Sequence, residues 1–211
     1  MDTERLVRVS PERLHGWLDG FAERHGGFEA TLTSDEVALA APDGARAVVV
    51  VPFLPWTPVG EPVDALVAHV TRERQIGALL VRKGGYAVGR FAGVRLLASK
   101  VDSTYVQGRT KAGGWSQQRF ARRRDNQSAK AYAETADVAA RLLAPHAADL
   151  DAVVGGGDKA AVLAVLADPR LAALRPLLQP RVHPVPDPRL RVLEAFPEQF
   201  RAIEITLNAL A

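Results

Sequence analysis

The chain has 211 residues, 47% hydrophobic and 24% charged, with a formal net charge of +3. Those are the values of an ordinary soluble globular protein, long enough for one large hydrophobic core or two small ones. No cysteine is present, which excludes disulfides, thiolate zinc sites, iron–sulfur clusters and cysteine nucleophiles together. The charged N-terminus MDTERLVRVSPERL lacks the apolar core of a signal peptide, and the most apolar run, 47–56, is short and broken by Pro52 and Pro55. The expectation is a cytoplasmic protein with no membrane span.

Ser10-Pro11-Glu12 reads as a helix start, and Gly26-Gly27 as its stop. Leu14, Trp17, Leu18 and Phe21 fall at helical spacing and define one apolar face. Short strands are predicted near 28–33, 36–41 and 45–51. Pro52, Pro55, Pro58 and Pro62 then punctuate a stretch that reads as an extended linker. The predicted domains are therefore a small α+β N-terminal module, 1–58, and an α/β domain with a mixed sheet and flanking helices, 59–211.

The second domain is predicted to open with a helix, 62–74, and strands at 76–82, 86–91 and 93–101, the first pair joined by the turn Lys83-Gly84-Gly85. A further strand is expected near 103–108. Ala129, Tyr132, Ala133, Ala136, Ala140 and Leu143 repeat at three and four, so a long helix should end before Pro145. A strand at 151–154, helices at 158–167 and 170–178, and a strand at 181–185 follow. A proline-rich turn, a short helix and the alternating tail RAIEITL close the chain.

Charge concentrates in one stretch, QGRTKAGGWSQQRFARRRDNQSAK at 107–130. Seven basic residues face one acid there, a local +6, so the rest of the chain sums to −3. A concentrated patch points to phosphate backbones, although arginine (22) outnumbers lysine (5) and isoleucine is scarce (3), a GC-rich bias that discounts arginine counts alone. Gly113 and Gly114 permit close backbone approach and free N–H groups for an oxyanion. Gln117 or Gln118 could hold a water without becoming its base. Arg109, Lys111, Arg119, Arg122, Arg123 and Arg124 could bind phosphates, and Trp115 could stack on a base. On the residues alone, the pattern favours a glycine loop ahead of a helix with a solvated arginine face, because such short motifs arise often by chance. Being glycine-rich and polar, 109–118 is expected to be exposed and to order only against RNA.

The stretch GRTKAGGWSQQRFARRRDNQ resembles the catalytic loop of the eukaryotic and archaeal class 1 translation release factors. It is closer still to that of the Vms-like release factors of ribosome quality control, and the arginine bias fits their actinobacterial branch. Gly114, Trp115, Ser116 and Gln117 match the Gly-x-x-Gln form, preceded by Gly113, and VVGGGDKAAV at 153–162 matches a strand, glycine turn and helix of the same domain. The likeness covers about 78–210. It implies a strand leading into the loop and a long helix leading out, with a peptidyl-tRNA hydrolase acting on stalled or obstructed ribosomes through Gln117, Gly113 and Gly114, or Gln118. It also implies the large ribosomal subunit and peptidyl-tRNA as partners, and no cofactor or metal. Two readings stay open beside it: a tRNA endonuclease cutting near the 3′ end, and a non-catalytic ribosome- or RNA-binding protein. Trp115 and Ser116 separate Gly-Gly from Gln117, so the strict release-factor tripeptide is absent.

Elsewhere, Gly155-Gly156-Gly157-Asp158-Lys159 reads as a strand-to-helix turn rather than an anion nest. The five histidines (15, 25, 69, 146, 183) show no metal spacing and read as structural. Trp56 reads as a core plug.

Overall fold

The structure, a computed structural model, describes residues 4–83, 85–102 and 116–211, with 116–128 described by backbone alone. The first elements are β1 (Arg5–Val9), α1 (Pro11–His25), β2 (Glu29–Leu32), β3 (Glu36–Ala40), β4 (Arg46–Val50) and α2 (Pro62–Thr71). Helix α1 starts with Pro11 in its first turn and stops at Gly26, whose φ of 75° is the left-handed conformation glycine adopts without a Cβ penalty. Leu14, Leu18 and Phe21 are buried on its inner face, as the spacing predicts. β1 was not expected. Its partner lies about two hundred residues along the chain, and nothing in five flanking residues announces that pairing.

The chain then enters β5 (Gln75–Arg82), β6 (Gly85–Ala92), β7 (Arg95–Asp102), α3 (Ser116–Leu142), β8 (Ala152–Gly157), α4 (Lys159–Leu166), β9 (Leu178–His183) and α5 (Leu190–Glu194). These strands form a mixed sheet in the order β7-β6-β5-β8-β9, antiparallel across β7, β6 and β5 and parallel across β5, β8 and β9. One face carries Leu79, Val81, Tyr86, Val88 and Val153 into a core shared with α3 and α4. Leu193 of α5, with Val185 and Phe196, covers Gly89 and Gly156 on the other face. The expected mixed sheet with flanking helices is present. Residues 169–177 are 3-10 turns instead of the expected α-helix, because Pro176 lacks the N–H that would continue it. Arg175 there donates to the carbonyls of Leu166 and Ala167, both at 2.6 Å. The strand expected near 103–108 lies outside the described residues.

The chain ends with a helical turn, α6 (Pro197–Phe200), and β10 (Ile203–Leu207). β10 pairs antiparallel with both β1 and β4, completing a second sheet in the order β1-β10-β4-β3-β2. The tail is a strand, as its alternation predicts, but a strand of the N-terminal sheet. The two compact units are accordingly 1–73 with 197–211, and 74–196, divided differently from the expected cut at 58/59. The proline stretch folds back on the first unit. His69 Nε2 donates to the Pro52 carbonyl at 2.8 Å, and Trp56 packs edge-on to His69 against that unit's core.

Candidate functional site

β7 is an edge strand that ends at Asp102, and α3 begins at Ser116. Arg109, Lys111, Gly113, Gly114 and Trp115 lie between them, outside the described residues. So does the part of the expected exposed segment that precedes Ser116. Gln117, Gln118, Arg119, Arg122, Arg123 and Arg124 lie in the first turns of α3. Their backbone is helical, which the reading of Gln117 as a loop residue did not anticipate. This placement has a chemical consequence. The first four N–H groups of a helix have no acceptor within it and form the positive end of its dipole. The N–H groups of Gln117 and Gln118 belong to that set.

The other end of α3 is its mount. Thr135, Ala136, Val138, Ala139 and, just past the helix, Leu143 are buried against the sheet, and the Thr135 hydroxyl donates to the Ala131 carbonyl at 2.7 Å. Tyr86 lies opposite Asp102, the last residue of β7, in the β6–β7 register. Burial pushes its hydroxyl pKa up, the negative charges of Asp102 and Glu134 add to the rise, and Arg141 opposes it. The charges of Asp102 and Glu134 thus both act on one tyrosine although 32 positions separate them. At 1.5 Å per residue, Gln117 stands roughly 26 Å along α3 from Glu134. The intervening thirteen residues, 103–115, reach up to ~43 Å when extended, so they can cover that distance.

Arg170 braces the mount from the 3-10 segment. Its Nη1 lies 2.7 Å from Asp137 on α3, and its Nη2 and Nε meet Asp168 at 2.7 and 2.9 Å. The Asp168 carboxyl is held at a pKa of about 2, chiefly by the Arg170 guanidinium and also by the Arg170 N–H. No local sequence signal marks the Arg170–Asp137 pair, because its two residues are 33 positions apart and on different elements.

Gly155-Gly156-Gly157-Asp158 is a packing turn. Asp158 caps α4, accepting from the N–H groups of Ala160 and Ala161 at 2.9 and 3.4 Å, so its carboxylate occupies the position an anion would take. Gly157 has φ 94°, and a Cβ there would collide with the Val81 carbonyl, itself fixed by the Asp158 N–H at 2.8 Å. Gly157→Ala is therefore expected to cost about 2–4 kcal/mol, from the left-handed backbone and the clash together. Denaturant titration of the full chain reads this directly, and an unchanged midpoint would show that the turn does not need glycine.

Four of the five histidines make side-chain contacts. His15 pairs with Asp19 at 2.9 Å, His25 with Asp43 at 2.7 Å, and His183 packs edge-on to Phe196. Among the described residues, no group of three or more histidine, aspartate or glutamate side chains could hold a metal. No described helix is long and apolar enough to cross a membrane.

A mixed sheet feeding its edge strand through a glycine- and arginine-rich segment into a long helix is, in this chain, a release-factor-type α/β domain. The chain belongs to the acVLRF1 family, described as Actinobacteria/chloroflexi VLRF1 release factor, whose family model matches residues 74–206. That match starts at the first residue of the second unit and includes every residue singled out from Arg109 to Arg124. No curated protein matches the chain. Among solved structures, it is similar to an archaeal translation termination factor, aRF1, at 16% identity and TM-score 0.47, covering 95% of this chain and 68% of that one. It is also similar to a structure described as an archaeal protein, at 19% identity and TM-score 0.41, covering 77% of this chain and 52% of that one.

Proposed function

We propose that the protein is a peptidyl-tRNA hydrolase that frees nascent chains from tRNA on the large subunit of stalled or obstructed ribosomes. The observation that carries this reading is the position of Gln117 in the first turn of α3, inside the residues matched by a release-factor family. A water held by the Gln117 side-chain amide attacks the carbonyl carbon of the ester joining peptide to terminal ribose. The carbon–ribose oxygen bond breaks, and the water's proton ends on the ribose oxygen. N–H groups at Gly113, Gly114 and the start of α3 face the oxyanion that forms in between. Gln117 is the residue assigned to the water, with Gln118 its competitor. Trp115 stacks on a base, while Arg109, Lys111, Arg119 and Arg122 to Arg124 hold RNA phosphates.

The test is to incubate the protein with ribosomes carrying labelled peptidyl-tRNA and to size the released tRNA to the nucleotide. Intact tRNA is expected. A tRNA lacking its 3′ end would replace hydrolysis with nucleolytic cleavage by the same loop, and no release would leave a binding protein.

If the arginines clamp phosphates, changing Arg122, Arg123 and Arg124 together to alanine weakens ribosome binding. The slope of log affinity against log salt then falls by about one for each phosphate no longer held. Release at saturating protein changes far less, because these arginines position the substrate and do not react. Equal affinity of the triple variant and the wild type at low and moderate salt would assign the run to a solvated helix face.

A further inference from the structure

The two units carry opposite charge. Residues 1–73 with 197–211 hold fourteen acidic and seven basic side chains, a net −7, while 74–196 hold ten acidic and twenty basic, a net +10. An electrostatic partner of the second unit is a polyanion, whereas the first unit repels one.

Among the described residues, the first unit also leaves one face of its sheet open. Val9, Val37, Leu39, Val49, Ile205 and Leu207 turn to the core shared with α1 and α2. On the opposite face, Leu6 pairs with Thr206, Thr206 with Val48, Val48 with Ala38 and Ala38 with Thr31. This is a row across all five strands without a charge in it. Leu6 is 52% exposed and Val50, beside the row, 43%. On the solvent face of an antiparallel sheet, alternation ordinarily places polar residues. With strands ~4.8 Å apart, the row is roughly 19 Å long.

We infer that this open face docks a basic protein surface on the same ribosomal particle whose RNA the second unit engages, an inference that rests on the function proposed above. Charge selects the occupant. A nucleic acid is repelled by the unit's −7, and a second copy would bring −7 against −7, whereas a lysine- and arginine-rich protein is attracted. The uncharged row supplies the surface that desolvates on contact. Beside it on the same face lie the Arg8–Glu204 pair at 2.8 Å and Glu36 on one side, and Arg46 and Glu29 on the other.

The experiment places a benzophenone amino acid at Val48 of the full chain, or at exposed Glu23 on α1 as control, and irradiates it with ribosomes carrying labelled peptidyl-tRNA. The Val48 probe is expected to join a basic protein of the particle, and the Glu23 probe to give no such product. Thr206→Arg is expected to weaken particle binding by about tenfold, with its melting temperature kept and release at saturating protein unchanged. Thr206→Val should bind as wild type. A Val48 product with RNA or with a second copy overturns the inference, and so does the lack of any product while wild type binds and releases peptide. If wild type neither binds nor releases, the proposed function itself fails and the docking inference falls with it.

Discussion

Gln117→Ala is expected to slow peptide release by on the order of a hundredfold or more, the loss seen when one preorganised polar group is removed from a reacting centre. Folding should be untouched, since alanine is the better helix former and the residue lies in the first turn of α3. Ribosome affinity should be nearly unchanged as well. Gln118→Ala is the internal control, and the larger loss of the two marks the residue that holds the water. The helix start provides a second discrimination. Proline is tolerated in a first turn but has no N–H, so Gln117→Pro deletes the backbone donor while the helix persists. A modest loss in Gln117→Ala with a large one in Gln117→Pro assigns the stabilisation to the N–H rather than the side chain. Gly114→Val, which crowds the backbone, should impair release in either case. Wild-type rates in all four variants would remove this segment from the chemistry.

Ending the chain after Phe196 is expected to unfold the first unit and leave the second standing. Ile203, Ile205 and Leu207 are almost wholly buried at 0%, 0% and 3% exposure. Each contributes ~2 kcal/mol or more, which together is comparable to the stability of a whole domain. Their strand also carries the ladder between β1 and β4, so β1 loses its place in the sheet. Hydrogen exchange on the truncated chain should show amides of α1, β3 and β4 unprotected, with those of β5, β6 and β8 still slow. Protection of β3 and β4 at the full-chain level would show that the first unit does not depend on its returning strand.

Local chemistry made much of the chain legible. The start of α1 at Pro11 and its stop at Gly26 follow from one fixed φ and one glycine, and both are in place. The apolar rhythm from Ala129 to Leu143 found Ala136 and Leu143 on the buried side of α3 but missed Thr135, Val138 and Ala139, and it included the exposed Ala129 and Ala133. The turn after Lys83 identified the β5–β6 pairing. Other elements were misread where local and distant forces differ. Residues 170–178 have helical spacing, but Pro176 and the carbonyls taken by Arg175 favour 3-10 turns. The prolines after Pro52 look like a linker, yet His69 and Trp56 fasten them to the first unit.

The candidate site divides the same way. Sequence alone singled out the residues to which a chemistry is assigned, because glycines, glutamines and an arginine run state their capabilities by composition and order. It also determined that a long helix follows them. Only the tertiary structure decided that Gln117 stands at the start of that helix, that the charges of Asp102 and Glu134 both act on Tyr86, and that Arg170 pairs with Asp137 on it. It also decided that RAIEITL, a strand by alternation, closes the sheet begun by Arg5 to Val9. Alternation fixes which side of a strand is buried, but the partner is chosen by the surfaces left unpaired once the whole chain has collapsed.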